Sequence, residues 1–222
     1  MQTKIIIFGS SYQANVILLE LKNFKKFKVI GFCDEKKPTN KIINKKYNLK
    51  NLGKFKDISK KIDKNTKGII GIGENKIRKK IIEECYSINK KFNWISLISK
   101  NAIIDNEVSI GAGSIILSGS VIRNNVKIGN HCLINSSCSI DHDTIISDFA
   151  SCGPGVITGG NVFLGKSSFV GIGSTIKNSI KIDENVFIGG NSFVNKDCGK
   201  GYLYFGNPIK KIKKTNQMKS QF

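Results

Sequence analysis

Two patterns of apolar and polar positions divide the chain near residue 97. In the first, short apolar runs alternate with stretches of helical spacing. Residues 4–8 read as a buried strand closed by Gly9, and Ala14, Ile17, Leu18 and Leu21 then recur on one helical face. A second strand over 29–32 ends at Cys33-Asp34, and a third over 68–72 ends at Gly73-Glu74-Asn75. Ile77, Ile81, Cys85 and Ile88 then share one face of a second helix. Strand–helix alternation implies a small parallel sheet with ligands at the carboxyl ends of its strands. The lysine-rich stretch 35–67 carries no such pattern.

From Ile104 onward the period is six. Stepping by six to Val194 gives sixteen positions, of which fourteen are Ile, Leu or Val; Cys152 and Thr158 are the exceptions. Four residues after each comes a small or β-branched residue, such as Ser114, Cys132, Ala150 or Ser168. Gly recurs directly after the aliphatic position, as at Gly111, Gly129, Gly153 and Gly171, where it is expected to take backbone angles that other residues resist. A period of six is neither helical nor a simple alternating strand. It fits a triangular coil with three short strands per turn, so residues eighteen apart stack at the strand spacing of ~4.8 Å. Fifteen hexads, 104–193, make five turns. The period does not specify the hand of the coil.

Composition adjusts this picture in two respects. The formal charge of +20 is uneven: residues 1–100 carry 24 Lys and Arg against 8 Asp and Glu, and 101–199 carry 6 against 8. A positive field attracts anions, but no recognition motif or aromatic-interleaved groove points to nucleic acid, so phosphate-bearing small ligands are the expected partners. The six cysteines include no Cys-x-x-Cys pair and read as buried small hydrophobes. Two histidines are too few for a three-histidine zinc site, and no metal is expected. The opening residues have neither the shape of a leader nor the length of a membrane span, so a cytoplasmic protein without stable membrane insertion is expected.

The strand ends supply one candidate site. Backbone amides after Gly9, through Ser10 and Ser11 at a helix N-terminus, suit a phosphate. Asp34, with Glu35 beside it, stands where an acid would bond a ribose hydroxyl, and Gly73 and Asn75 close the group. Ser11 and Ala14 occupy the later glycine positions of the dinucleotide fingerprint, which argues against NAD chemistry.

The strings SIDHDTI (139–145), GNVFLG (160–165), IGGNSFVNKD (188–197) and GNPIKKI (206–212) carry a further implication. With them the chain resembles the sugar O/N-acyltransferase family, whose members include sialic acid O-acetyltransferases and UDP-4-amino-sugar acetyltransferases. The resemblance implies an N-terminal α/β Rossmann-like domain followed by a left-handed parallel β-helix. On this reading 1–97 binds a nucleotide sugar, 98–209 is the acyltransferase coil and 210–222 is a basic tail. It further implies a homotrimer with active sites between adjacent coils and acetyl-CoA as co-substrate. His142 is then the general base and Asp143 its orienting acid; imidazole titrates near working pH, so the chemistry agrees. Gly155, Ile172 and Gly190 match positions lining the acyl-CoA, and Ser151 stands where the family has a second histidine. Tyr12 and Gln13 fall in an altered version of the family's loop after the first strand. His131 is expected to be structural. Lys210, Lys211, Lys213 and Lys214 are either ligands for the CoA 3′-phosphate or a solvated tail.

Three activities compete at this level: N-acetylation of a nucleotide-linked amino sugar for surface glycan assembly, O-acetylation of a sialic-acid-like sugar, and a non-catalytic trimer that binds polyanions. The His142-Asp143 pair favours an enzyme.

Overall fold

The computed structural model describes residues 2–60 and 62–217 and separates into two units, Met1–Ile95 and Ser96–Phe222. The first runs β1 (Thr3–Phe8), α1 (Tyr12–Lys22), β2 (Phe27–Cys33), the small pair β3 (Ile42–Asn44) and β4 (Leu49–Lys50), α2 (Phe55–Ile58), β5 (Thr66–Ile70) and α3 (Asn75–Ile88). Its main sheet is parallel in the order β2-β1-β5. The central place of β1 explains its unbroken apolar run: Ile5, Ile6 and Ile7 are all fully buried, as a strand covered on both faces requires. Helix α1 buries Ala14, Ile17, Leu18 and Leu21, the face its spacing predicts.

Helix α3 buries only part of its apolar face. Its buried stripe is Asn75, Arg78, Ile82 and Cys85, while Ile77 and Ile88 are 38% and 46% exposed. Helical spacing places the apolar residues on one face but does not distinguish a core from a cleft. Arg78 can be buried because its guanidinium donates to the carbonyls of Ile72 (3.2 Å) and Gly73 (2.9 Å) and to Asn75 Oδ1 (3.0 Å).

The second unit is a three-sided parallel coil. Two-residue strands recur every six residues from Leu97–Ile98 to Phe193–Val194, one hexad earlier than the sequence pattern suggested. From Leu97–Ile98 to Thr175–Ile176, each pairs with the strand eighteen residues on, as Val121 with Ser139 and Ile122 with Ile140. The inward aliphatic positions form one continuous buried core from Ile116 to Val194. The small corner residues are buried too, and several hydroxyls reach backbone carbonyls fifteen residues on: Ser114 to Gly129 (2.7 Å), Ser168 to Asp183 (2.7 Å). Cys132 and Cys138 use their thiols in the same way, toward Ser147 (3.1 Å) and Gly153 (3.2 Å).

The recurring glycine has a different cause from the one expected. Gly111, Gly129, Gly153 and Gly171 are not among the residues with positive φ; those angles fall two residues later, at positions such as Asn125, His131, Asp143 and Gly155. Glycine is needed because backbone passes directly beneath. A Cβ on Gly171 would lie 2.5 Å from Gly190 N, and one on Gly111 would lie 2.5 Å from Gly129 C.

After the last hexad the chain adds Tyr202–Phe205 to one coil sheet, and Lys210–Lys214 pairs antiparallel with it. The segment 206–208 is therefore a hairpin turn, and the start of the expected basic tail is an exposed strand. Residues 218–222 of that tail lie outside the described residues.

Candidate active site

His142 and Asp143 form the turn between strands Ser139–Ile140 and Ile145–Ile146. Asp143 adopts φ +57°, a conformation Asp tolerates better than most residues. It brings Oδ2 to 2.7 Å from His142 Nδ1, while the two side chains stay 58% and 52% exposed. Two partners escaped the sequence reading. Asn125, one turn back, donates to Asp143 Oδ1 at 3.2 Å. Gly160, one turn on, lies under the imidazole: a Cβ there would stand 2.5 Å from both Cε1 and Nε2. Both lie eighteen residues from the pair, so the coil register itself pointed to them.

This arrangement sets the electrostatics. The bond to Asp143, with the charge of Asp141 behind it, holds the His142 imidazolium above its usual range. The imidazole, then Asn125, hold the Asp143 carboxyl below the usual carboxylate range. With Nδ1–H committed to Asp143, Nε2 is left as the basic nitrogen over Gly160.

His131, by contrast, is 4% exposed and stacks on Phe149 at 5.3 Å, a packing role. The cysteines are all buried, and burial pushes the thiols of Cys138 and Cys198 up to about 11 and about 12. Such thiols are poor nucleophiles at neutral pH.

Of the residues expected at the acyl donor, three share one edge of the coil. Gly155 (φ +67°) faces open space, Ile172 is 62% exposed, and the Cβ that Gly190 lacks would sit 3.0 Å from Ile172 Cγ2. Ser151 does not join them: it is wholly buried in the strand row between Leu133 and Phe169. The turn at 153–156 joins different coil sheets from the turn at 141–144, so His142 occupies another corner of the triangle.

In the first unit a cavity of about 660 Å³ opens at the strand ends. Gly9, Ser10, Ser11, Asp34 and Glu35 line it, as expected. Gly9 turns at φ +87°, and a Cβ there would lie 2.5 Å from Ile72 Cγ1. Ser10 Oγ donates to Asp34 Oδ2 at 2.5 Å. Other expected residues are placed elsewhere: Tyr12 is 94% exposed and Asn75 fully buried, and neither they nor Gln13 and Gly73 line the cavity. In their stead Lys54, Phe55 and Lys56 line it, together with Ile77, Lys80 and Ile81 of α3. The apolar stripe of α3 thus lines a cleft.

Comparison with known proteins agrees with this architecture. Residues 4–85 match the family described as PglD N-terminal domain. No curated protein matches the chain. Among solved structures, the acetyltransferase domain of PglB from Neisseria gonorrhoeae, in complex with acetyl coenzyme A, superposes with a TM-score of 0.83 at 20% identity, covering 96% of this chain and 100% of that one. PerB from Caulobacter crescentus, in complex with CoA and GDP-perosamine, gives 0.84 at 21% identity, over 94% and 97%. WeeI from Acinetobacter baumannii gives 0.81 at 22%, over 95% and 100%. The fold is therefore the Rossmann-like domain and left-handed β-helix inferred above, and the resemblance to hexapeptide-repeat sugar acyltransferases holds at the level of the fold.

Proposed function

We propose that this protein transfers the acetyl group of acetyl-CoA to the amino group of a nucleotide-linked amino sugar. One observation carries the reading: an exposed His142, oriented by Asp143 and seated on the bare backbone of Gly160. The complexes of similar fold support it, since those proteins hold acetyl-CoA, or CoA with GDP-perosamine. Two further structures of the perosamine enzyme carry a replaced histidine.

In the step we propose, the acceptor nitrogen attacks the thioester carbonyl while its proton passes to His142 Nε2. The tetrahedral centre collapses with cleavage of the C–S bond, and the thiolate leaves with that proton as free CoA. Asp143 keeps Nδ1 as the donor nitrogen and stabilises the imidazolium that forms. The edge of Gly155, Ile172 and Gly190 would receive the pantetheine and thioester. Because His142 lies on a different corner of the same coil, a site that unites the two needs a second chain, which favours a homotrimer. The cavity in the first unit would hold the nucleotide: its apolar floor suits a base, Asp34 a ribose hydroxyl, and Lys54, Lys56 and Lys80 the phosphates. No helix among the described residues is long and apolar enough to cross a membrane, and we place this chemistry in the cytoplasm, in surface glycan assembly.

The test is thiol release from acetyl-CoA across UDP-, GDP- and dTDP-linked amino sugars and free sialic acids. Turnover with one nucleotide amino sugar, giving an amide product, is the expected result. Turnover with sialic acids alone would mean O-acetylation, and none with any acceptor would leave a non-catalytic protein.

A further inference from the structure

The loop 34–41 forms one wall of the cavity through Asp34, Glu35 and Lys36, and every residue from 35 to 41 is exposed. Such a loop has no apolar anchor of its own. What holds it is one amide. Asn51 is fully buried; its Oδ1 accepts from the backbone N–H of Asp34 (3.0 Å) and of Gly53 (3.3 Å). Its Nδ2 donates to the carbonyls of Asp34 (2.9 Å), Lys37 (2.7 Å) and Pro38 (3.3 Å), so two N–H groups serve three acceptors. The Asn51 backbone adds two bonds to the same loop, with Asn40 and Lys41. Gly53 then begins the segment that lines the cavity at Lys54 and Phe55, and it packs bare against Thr39: a Cβ there would meet Thr39 Oγ1 at 2.9 Å. One side chain thus ties together two walls of the cavity.

We infer that Asn51 is a positioning residue for this cavity: it touches no ligand itself, but sets the main chain of Asp34 and the separation of the 34–36 and 54–56 walls to fit the nucleotide part of the substrate. Asp34 has little freedom once this is done, since Ser10 holds Oδ2 and the N–H of Lys36 holds Oδ1 at 2.9 Å. A ligand that bridges the walls would find them already spaced, which lowers the ordering cost of binding. The inference rests on the nucleotide-sugar reading of the cavity.

The experiment compares full-length wild type, Asn51→Ala and Asn51→Asp by calorimetric titration with UDP, GDP and dTDP, with acetyl-CoA as the control ligand. Hydrogen exchange is followed in parallel. Asn51→Asp keeps the acceptor for Asp34 and Gly53 but loses the donors to three carbonyls, so it is informative even where the alanine variant unfolds. Affinity for the diphosphate that wild type binds best should fall about tenfold or more, with acetyl-CoA affinity within about twofold of wild type. Exchange should quicken in 34–41 and 53–56 alone. Unchanged diphosphate affinity, a parallel loss of acetyl-CoA affinity, or exchange that rises evenly over residues 2–95 would overturn the assignment. If wild type binds none of the three diphosphates, the nucleotide reading fails. Exchange then decides Asn51 by itself: a local rise upholds its hold on the walls, and an even rise or none refutes it.

Discussion

At the scale of single residues, the pair His142–Asp143 is described by what surrounds it as much as by its own chemistry. Asn125 fixes one oxygen of the carboxylate and Gly160 leaves room for the ring. Replacing His142 by Ala should cost at least about 10²-fold in kcat, the usual worth of a general base, with the thermal midpoint unmoved; near-wild turnover in a folded variant would remove His142 from the mechanism. Asp143→Asn acts through the pKa. Asp143 holds the imidazolium above its ordinary range, so its loss lets the base pKa fall. The acidic limb of the kcat/KM profile should then move to lower pH, while the plateau drops because the base is weaker. A limb that stays in place would show that Asp143 has no electrostatic role. Gly160→Ala should lower kcat without unfolding the coil, since the added methyl occupies the space of Nε2 itself.

At the scale of elements, the coil depends on two independent requirements, an apolar interior and bare backbone at its stacked turns. Ile134 is fully buried, so Ile134→Asp places a lone carboxylate among aliphatic side chains and should cost at least about 4 kcal/mol, enough to unfold the unit. Asn135→Asp, one residue on and half-buried, should leave the midpoint nearly unchanged; equal effects at the two positions would contradict the register. Gly171→Ala meets Gly190 N at 2.5 Å and should destabilise by about 1–3 kcal/mol by overpacking alone. Gly155→Ala has open space around it and should cost about 1–2 kcal/mol through its positive φ instead. Adding Asn at 155, which tolerates that angle, should recover part of the second loss. The same exchange at 171 should recover none.

At the scale of the whole molecule, the proposed reaction needs parts that one coil keeps on separate corners. Ile172→Glu should block the acyl donor and His142→Ala the base, each leaving a chain that is inactive alone. Co-refolded in equal amounts, the two should regain about a quarter of the wild-type sites, those where an intact edge of one chain meets an intact histidine of the next. No recovery would place both functions on a single chain. Charge also separates by unit, and Asp34→Ala should raise KM for the sugar nucleotide about 10–100-fold with little change for acetyl-CoA, because the lost hydrogen bond is to a carboxylate.

What the sequence by itself determined is whatever repeats or alternates. Six-residue spacing specified the inward positions, the corners and the stacking partners, since in a regular coil neighbours in space are neighbours at a constant offset. Asn125 and Gly160 were legible by that rule, each eighteen residues from the His142–Asp143 pair. The buried face of α1 was legible for the same reason. Only the tertiary structure decided the rest. It showed that the glycine after each aliphatic position answers a close backbone approach, because φ and crowding leave the same residue in the sequence. It turned the apolar stripe of α3 to a cavity, because periodicity reports a face and not what that face meets. It also made a cavity wall of the lysine-rich stretch after β2, through Asn51, whose five side-chain hydrogen bonds join segments with no common period. Contacts of that kind are set by how separate elements pack, and no local pattern records them.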